Sequence, residues 1–429
     1  MNQPDAFGSL SPRELGMLGV SAARSPFKEG ANLMSVTFRL VNFTVVLGCL
    51  LGGPALAATE RAYIGTYTAE PAQRQSRNHG EGIYLVDVDT STGTLSNPRL
   101  MAKTPSPAWI ALSPDGRFLY AGNEIGDFNG NRSGSVSAFT IDKASGKLTF
   151  LNVVSSEGAG PAYVAVHPSG RYVLSANYAG GSLSVLPVKP DGSLGSATDV
   201  VHPTGSLNPP RASDNPPGNF DPSDHSASHV HMVGFDPKGD YVIADEAGLD
   251  QILVFKLDLT TGKLAPVSQT ASLPGSAPRH FVFDPAGRLF YQLQEQDSML
   301  TVYDFDPATG KLTRGESVST LPKGFAGSDL ASELLISKDG RHLYAANRLH
   351  DTITTFSADR KGHIERLGEV PTGADTPRSL ELDPSGKFVY SLNQIGDSVT
   401  GFRVGVKGTL SFTGQFLPLG SPAVMVFLP

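Results

Sequence analysis

Cysteine is nearly missing from this chain. Among 429 residues there is one, Cys49, and tryptophan is equally rare, with Trp109 alone. Cys49 falls in a short apolar segment near the N-terminus, and removal of that segment leaves no thiol. No disulfide framework is therefore expected to staple the mature chain. Val46-Leu47-Gly48-Cys49 faintly resembles a lipoprotein box, but the apolar Leu50-Leu51 directly after it argues against that reading. An excess of positive charge is also missing, since the formal net charge is −7. That removes the electrostatic case for nucleic acid or an anionic membrane as partner. The sequence shows no glycine-rich nucleotide loop and no Ser–His–Asp pattern, and it implies no cofactor. The apolar run from Leu40 to Gly53 is too short and wrongly flanked for a spanning helix.

That run makes sense as a targeting signal. Residues 1–33 are polar, mixed and without periodicity, and read as an over-extended or disordered leader with Met34 as the true start. Met34 to Arg39 supplies a basic flank, the apolar core follows, and Ala55-Leu56-Ala57 is a small-x-small cleavage site. Together, residues 34–57 describe a secretory signal peptide cleaved near Ala57. A periplasmic or secreted protein is expected, with one domain over 58–429, no transmembrane span in the mature chain, and a monomeric state.

What the chain has in quantity is turn chemistry, with 47 glycines and 32 prolines. Ser113-Pro114-Asp115-Gly116, His167-Pro168-Ser169-Gly170, Asp236-Pro237-Lys238-Gly239, Asp284-Pro285-Ala286-Gly287, Ser337-Lys338-Asp339-Gly340 and Asp383-Pro384-Ser385-Gly386 each separate two apolar stretches. Pro at the first central position and Gly at the end suit a type I turn closing a hairpin. A third strand and a Gly-containing turn into a fourth follow each hairpin, as in Gly134 to Phe139 and Ser145-Gly146-Lys147-Leu148. Units of about 40–50 residues made only of strands point to propeller blades. Six units are complete. The seventh is split: Ser421 to Phe427 matches the first strand of the others, and the strands after residue 60 supply the rest. The fold expected is all-β: a seven-bladed β-propeller of four-stranded antiparallel blades, its ring closed by N- and C-terminal strands sharing one blade.

Register then says which residues can meet. Six residues before each turn proline (or Lys338) stand Ala108, Ala162, His231, Arg279, Ser332 and Arg378, with Ala423 matching them in the split blade. Ten residues after it stand Glu124, Tyr178, Ala247, Glu295, Arg348 and Gln394. The two positions face each other across the hairpin, so Arg279 should lie beside Glu295 and Ser332 beside Arg348. The first strand of a blade is innermost, which places these residues around one mouth of the central channel. Four consecutive blades carry polar or charged groups there, and alanines in the others leave room for a ligand.

The motifs Ser228-His229-Val230-His231, Ala277-Pro278-Arg279-His280-Phe281, Ala331-Ser332-Glu333, Ala346-Asn347-Arg348 and Thr376-Pro377-Arg378 resemble the lactonase family of seven-bladed propellers. That family includes the propeller-type 6-phosphogluconolactonase and the fungal carboxymuconate-lactonizing enzyme. The resemblance covers about 60–429 and implies a catalytic set of His231, Arg279, Glu295 and Arg348. Arg378, Glu333 and His229 are expected to bind substrate or support the set. The chain departs from the family at Gln292-Leu293-Gln294 and at Arg378-Ser379, which bears on substrate identity more than on fold.

The residue types suit lactone opening. Glu295 or His231 is a candidate general base toward water. Arg279 and Arg348 are candidates to hold an anionic group and the developing oxyanion. The expected partner is a small anionic lactone or carboxylate. Two other classes stay open: a noncatalytic binding propeller, and a cyclase resembling the carboxymuconate enzyme. Each residue also has a structural reading: Arg279–Glu295 as a rim ion pair, His231 as a hydrogen-bonded core histidine, Trp109 as core packing. His229-Val230-His231 is a weak metal signal, because i,i+2 side chains share a strand face, but no carboxylate motif accompanies it and no metal is expected. Finally, His202 to Ser228 is an insertion rich in Pro, Asn, Asp and Ser that leads into His231. A flexible rim or lid over the same mouth is expected there.

Overall fold

The hairpin turns set the architecture. In all six, the Gly N–H donates to the carbonyl three residues back, as Gly116 to Ser113 and Gly287 to Asp284. These glycines sit at φ between 64° and 73°, where a Cβ is disfavoured. The first side chain of the turn caps its far end: Asp284 Oδ1 accepts from the Arg288 and Leu289 N–H groups at 2.7 Å each. Composition thus fixes six tight reversals at one end of the inner strands.

The computed structural model of the protein describes residues 59–69 and 78–429. The leader and signal peptide expected over 1–33 and 34–57, with Cys49 and the Ala57 site, lie outside the described residues. The described strands form seven four-stranded antiparallel sheets. Six are consecutive meanders: blade 2 over 107–155, blade 3 over 161–201, blade 4 over 230–271, blade 5 over 278–319, blade 6 over 331–371 and blade 7 over 377–418. Blade 1 runs Pro422–Phe427, Thr59–Thr66, Ile83–Asp89, Leu95–Ala102. Tyr63 pairs with Val426 and Ile64 with Met425, so the two chain ends close the ring as the repeat predicts. Blade 3 differs in one respect. Its outer strand is only Asp199–Val201, because the chain leaves there for the insertion.

Strand alternation divides the core. Ala62 and Ile64 pack toward Phe388, Tyr390 and Leu392 of blade 7. Tyr63, between them, packs toward Ile110, Leu119 and Phe139 of blade 2. The same arrangement fills each of the other gaps between neighbouring blades. Both faces of a blade are buried, which is why the inner strands read as nearly continuous apolar runs. Polar latches add to this layer: Tyr63, Tyr120 and Tyr390 hydroxyls donate to the Gly146, Gly192 and Gly93 carbonyls of neighbouring blades at 2.8, 3.0 and 2.9 Å. Among the described residues no helix is long and apolar enough to cross a membrane.

Candidate functional site at the channel mouth

The end of the inner strands away from the hairpin turns carries a β-bulge in every blade. Register shifts bracket Ala108, Ala162, His231, Arg279, Arg378 and Ala423, and in blade 6 both Ser332 and Glu333. These are the positions six residues before each turn. A bulge inserts an unpaired residue and re-aims its side chain. The bulged positions carry His231, Arg279, Ser332 and Arg378 in four consecutive blades and alanine in the other three.

Arg279 and Glu295 meet there as the register predicts. Arg279 is 1% exposed; its Nε donates to Glu295 Oε2 at 2.9 Å and its Nη1 to the Ser332 carbonyl. Arg348 Nη2 reaches the same Glu295 Oε2 at 2.7 Å, and its Nε donates to the Leu330 carbonyl at 3.2 Å. Glu295 Oε1 accepts from the Ser223 hydroxyl at 3.0 Å. Burial alone would raise the Glu295 carboxyl, but the Arg348, Arg279 and Arg378 charges and the Ser223 hydrogen bond overturn that and hold it at about 2. It is a fixed carboxylate bridging two guanidinium groups, and a poor proton acceptor. Burial, with the Arg378 and Arg348 charges, pulls Arg279 down to about 9. Ser332 does not pair with Arg348 as expected: the Arg348 N–H donates to the Leu330 carbonyl at 3.0 Å, and the Ser332 hydroxyl donates to the Pro377 carbonyl at 2.6 Å.

His231 completes the group. It is 4% exposed. Burial first, then the Arg279, His280, Arg378 and Arg348 charges, hold it well below 6.5, so it is neutral at neutral pH. Its Nδ1 is buried without a protein partner. The ring lies edge-on to Tyr178 at 5.5 Å and to His280 at 5.1 Å. His229 has a packing role: it stacks on Tyr178 at 4.6 Å, and its Nδ1 pairs with the Tyr178 carbonyl at 2.8 Å. Asp224 Oδ2 is 3.3 Å from its other nitrogen. Among the described residues, no three His, Cys, Asp or Glu side chains are arranged to hold a metal ion.

Arg378 belongs to a second cluster on the same rim. Its Nη2 donates to the Tyr67 hydroxyl at 2.7 Å, and Tyr67 donates in turn to Glu124 at 2.6 Å. Burial opposes the Arg378 charge, but Tyr67, Glu124 and Glu295 outweigh it and raise its proton affinity. Glu333 lies one layer deeper, where its Oε1 pairs with His280 Nδ1 at 2.8 Å. Trp109 and Tyr163 stack at 4.0 Å, and His280 stands edge-on to both at 5.3 and 5.5 Å. Side chains of blades 2, 3 and 5 thus meet under the mouth, and Trp109 packs in this group as well as against the blade cores. A groove of about 1060 Å³, lined by Arg288, Tyr291, Arg341 and Lys407 among others, lies on the opposite, turn-bearing face.

The insertion reaches the mouth through side chains that sequence reasoning missed. Besides Ser223 on Glu295, Asn219 donates to the Asp329 carbonyl at 3.0 Å, and Gln296 holds the Asp221 carbonyl at 3.1 Å. His225 pairs with Asp250 at 3.2 Å, and Asp250 also accepts from the Gly275 and Ala277 N–H groups at 2.7 Å each. The same carboxylate therefore fastens the rim and the turn leading into Arg279. Tyr67 was also missed; aligning Thr66-Tyr67 with Asn123-Glu124 in the split blade would have found it. His280 was quoted in a motif but given no role. Of the departures from the family, Gln292 faces a neighbouring blade, donating to Asp245 at 3.0 Å.

Residues 61–427 match the family described as "Lactonase, 7-bladed beta-propeller". A 6-phosphogluconolactonase of Bacillus subtilis is 33% identical over 298 residues, covering 70% of this chain and 77% of that one. A 6-phosphogluconolactonase of Formosa agariphila is 28% identical over 72% of this chain and 82% of its own length. Among solved structures, a periplasmic gluconolactonase of Pseudomonas aeruginosa superposes with a TM-score of 0.76 at 28% identity, over 87% of this chain and 99% of that one.

Proposed function

The chain belongs to the seven-bladed β-propeller lactonase family, and from that premise we propose that it is an exported lactone hydrolase acting at the bulge-lined mouth. The observation that carries the reading is the joining of three features in one place. A neutral His231, two arginines, and a carboxylate locked between those arginines share the rim.

In this reading His231 is the general base. It takes a proton from water as the water oxygen attacks the lactone carbonyl carbon. Arg279 and Arg348 stabilise the oxyanion that forms on the carbonyl oxygen. Collapse restores the carbonyl and breaks the ring C–O bond, and His231 returns its proton to the leaving alkoxide, giving the hydroxy acid. Glu295 orients both guanidinium groups; of the two candidate bases it is the one already engaged on both oxygens. Arg378 uses Nη2 for Tyr67 and is assigned to an anionic substituent of the substrate. Likeness to a protein described as periplasmic and the signal-like segment over 34–57 support export. An anionic sugar or carboxylate lactone outside the cytoplasm is the substrate class proposed.

The test is lactone opening by the purified mature chain on 6-phosphogluconolactone, plain aldonolactones and carboxymuconolactone, corrected for spontaneous opening. One lactone opened by the wild type, with kcat lowered about 10²–10⁴-fold in His231→Gln and KM little changed, is the expected result. No acceleration on any lactone by the folded wild type would leave the rim as a structural ion network.

A further inference from the structure

The hydrolase reading needs His231 in one tautomer, with a lone pair toward the mouth, and nothing at the mouth itself selects it. The selection comes from the layer beneath. Glu333 Oε1 lies 2.8 Å from His280 Nδ1 and 3.0 Å from the Leu334 backbone N–H. A carboxylate oxygen only accepts, so the His280 proton is on Nδ1. Burial, opposed by Glu333 and aided by Arg279, pushes His280 down to about 4. The ring therefore carries that one proton, and its Nε2 is an acceptor. This Nε2 is buried with no partner. So is Nδ1 of His231, on a ring whose centroid is 5.1 Å away. Two buried, unpartnered nitrogens on adjacent rings are costly to leave so. A hydrogen bond between them would satisfy both, and rings 5.1 Å apart centre to centre are close enough to form one after a small rotation of either ring.

We propose that Glu333 and His280 form a positioning relay: Glu333 fixes the His280 tautomer, and His280 Nε2 accepts from His231 Nδ1–H, leaving His231 Nε2 as the basic nitrogen. The relay rests on the reading of His231 as general base, but its structural half stands apart from activity. It assigns a role to Glu333, one layer below the substrate, that direct substrate binding does not require. Trp109 and Tyr163, both edge-on to His280, hold its imidazole plane in place. When His231 takes the proton from water, its imidazolium remains hydrogen-bonded through Nδ1–H to His280, with the Glu333 charge behind it. The ordering of groups is that of a histidine held by a carboxylate, with a second imidazole interposed.

Histidine tautomers are read directly from ¹⁵N–¹H correlation spectra of the folded protein labelled at its 10 histidines, with His231→Gln used to assign the His231 signal. The expected wild-type result is a neutral His231 protonated on Nδ1. In His280→Phe, which keeps the ring contacts with Trp109 and Tyr163 but removes the acceptor, the Nε2–H form should appear. There kcat should fall at least ~100-fold with KM within about twofold; a mis-set tautomer costs up to ~10⁴ in the serine-protease triad. His280→Gln, whose side-chain oxygen accepts a hydrogen bond, should restore the Nδ1–H form. A wild-type His231 protonated on Nε2 overturns the relay without any variant being needed, and so does a tautomer unmoved in His280→Phe. Absence of lactone opening in the wild type would overturn the hydrolase reading instead, leaving the spectrum to decide the relay.

Discussion

Replacing Glu295 by Gln isolates the electrostatics of the mouth. The side chain keeps its size and loses its charge, leaving Arg279 and Arg348 without the carboxylate that bridges them. The carboxyl is held at about 2 against an ordinary 4.5. Each tenfold change in proton affinity is worth about 1.4 kcal/mol, so the folded state gains roughly 3 kcal/mol from ionised Glu295. Glu295 is 8% exposed, so solvent screening takes little of this away. Removing one partner of a buried ion pair typically costs about 3–5 kcal/mol, which agrees.

The sign follows from the direction of the shift. A carboxyl with a depressed folded value stabilises fully above its unfolded value near 4.5 and loses that contribution as pH falls toward 2. The wild type should therefore exceed Glu295→Gln by roughly 3 kcal/mol at pH 7 and by about 1.5 kcal/mol at pH 3. Urea unfolding followed by the fluorescence of Trp109, the single tryptophan, measures both. A gap that is the same at the two pH values, or below about 1 kcal/mol at pH 7, would refute the picture of a carboxylate clamped by two arginines.

Other consequences follow from the same geometry. His231 is held well below 6.5 by burial and the neighbouring positive charges, so kcat should stay level from pH 8 through 6.5 and decline only in more acid solution; an inflection at or above 6.5 would count against His231 as base. Arg378→Ala should raise KM about 10–100-fold for a lactone bearing a carboxylate or phosphate, the worth of a charge-assisted hydrogen bond, and leave a neutral aldonolactone nearly unaffected; equal loss on both would remove Arg378 from substrate binding. Tyr120→Phe breaks the 3.0 Å latch to Gly192 and should cost about 1 kcal/mol in urea unfolding, the net worth of one buried hydrogen bond. Tyr291→Phe removes a buried hydroxyl that has no partner, and should cost nothing or stabilise.

The ring was legible because its signals are local and repeated. Pro and Gly at fixed offsets mark each turn, and a motif seen six times in sequence also identifies its split seventh copy. The pairing of Arg279 with Glu295 followed from counting away from a turn of known length. The same count did not join Ser332 to Arg348: the ladder sets Arg348 opposite Leu330, and the short Ser332 side chain donates to the Pro377 carbonyl of the next blade instead. Ser223 was not legible: it meets Glu295 across 72 residues through a loop with no periodicity, and nothing local records where such a loop lands. His280 was missed for a different reason. Alternation places it on the face opposite Arg279, and only the bulge between Pro278 and His280 lets both residues of the pair serve the channel.

That bulge explains how one backbone carries both a core and a site. Away from the mouth, alternate residues of an inner strand are committed to the two neighbouring blades, and changing them opens a gap between blades. At the bulge the extra residue is released from the ladder, so its side chain can be Ala108, His231 or Arg279 without altering blade packing. The residue after it, still held by the ladder, is where Trp109, Tyr163 and His280 meet across the channel. The chemistry at the rim is therefore free to vary from blade to blade, while the layer below must fit three blades at once. Under the proposed function the rim residues select the substrate, and the proposed His280 layer is the constraint that any change of substrate has to preserve.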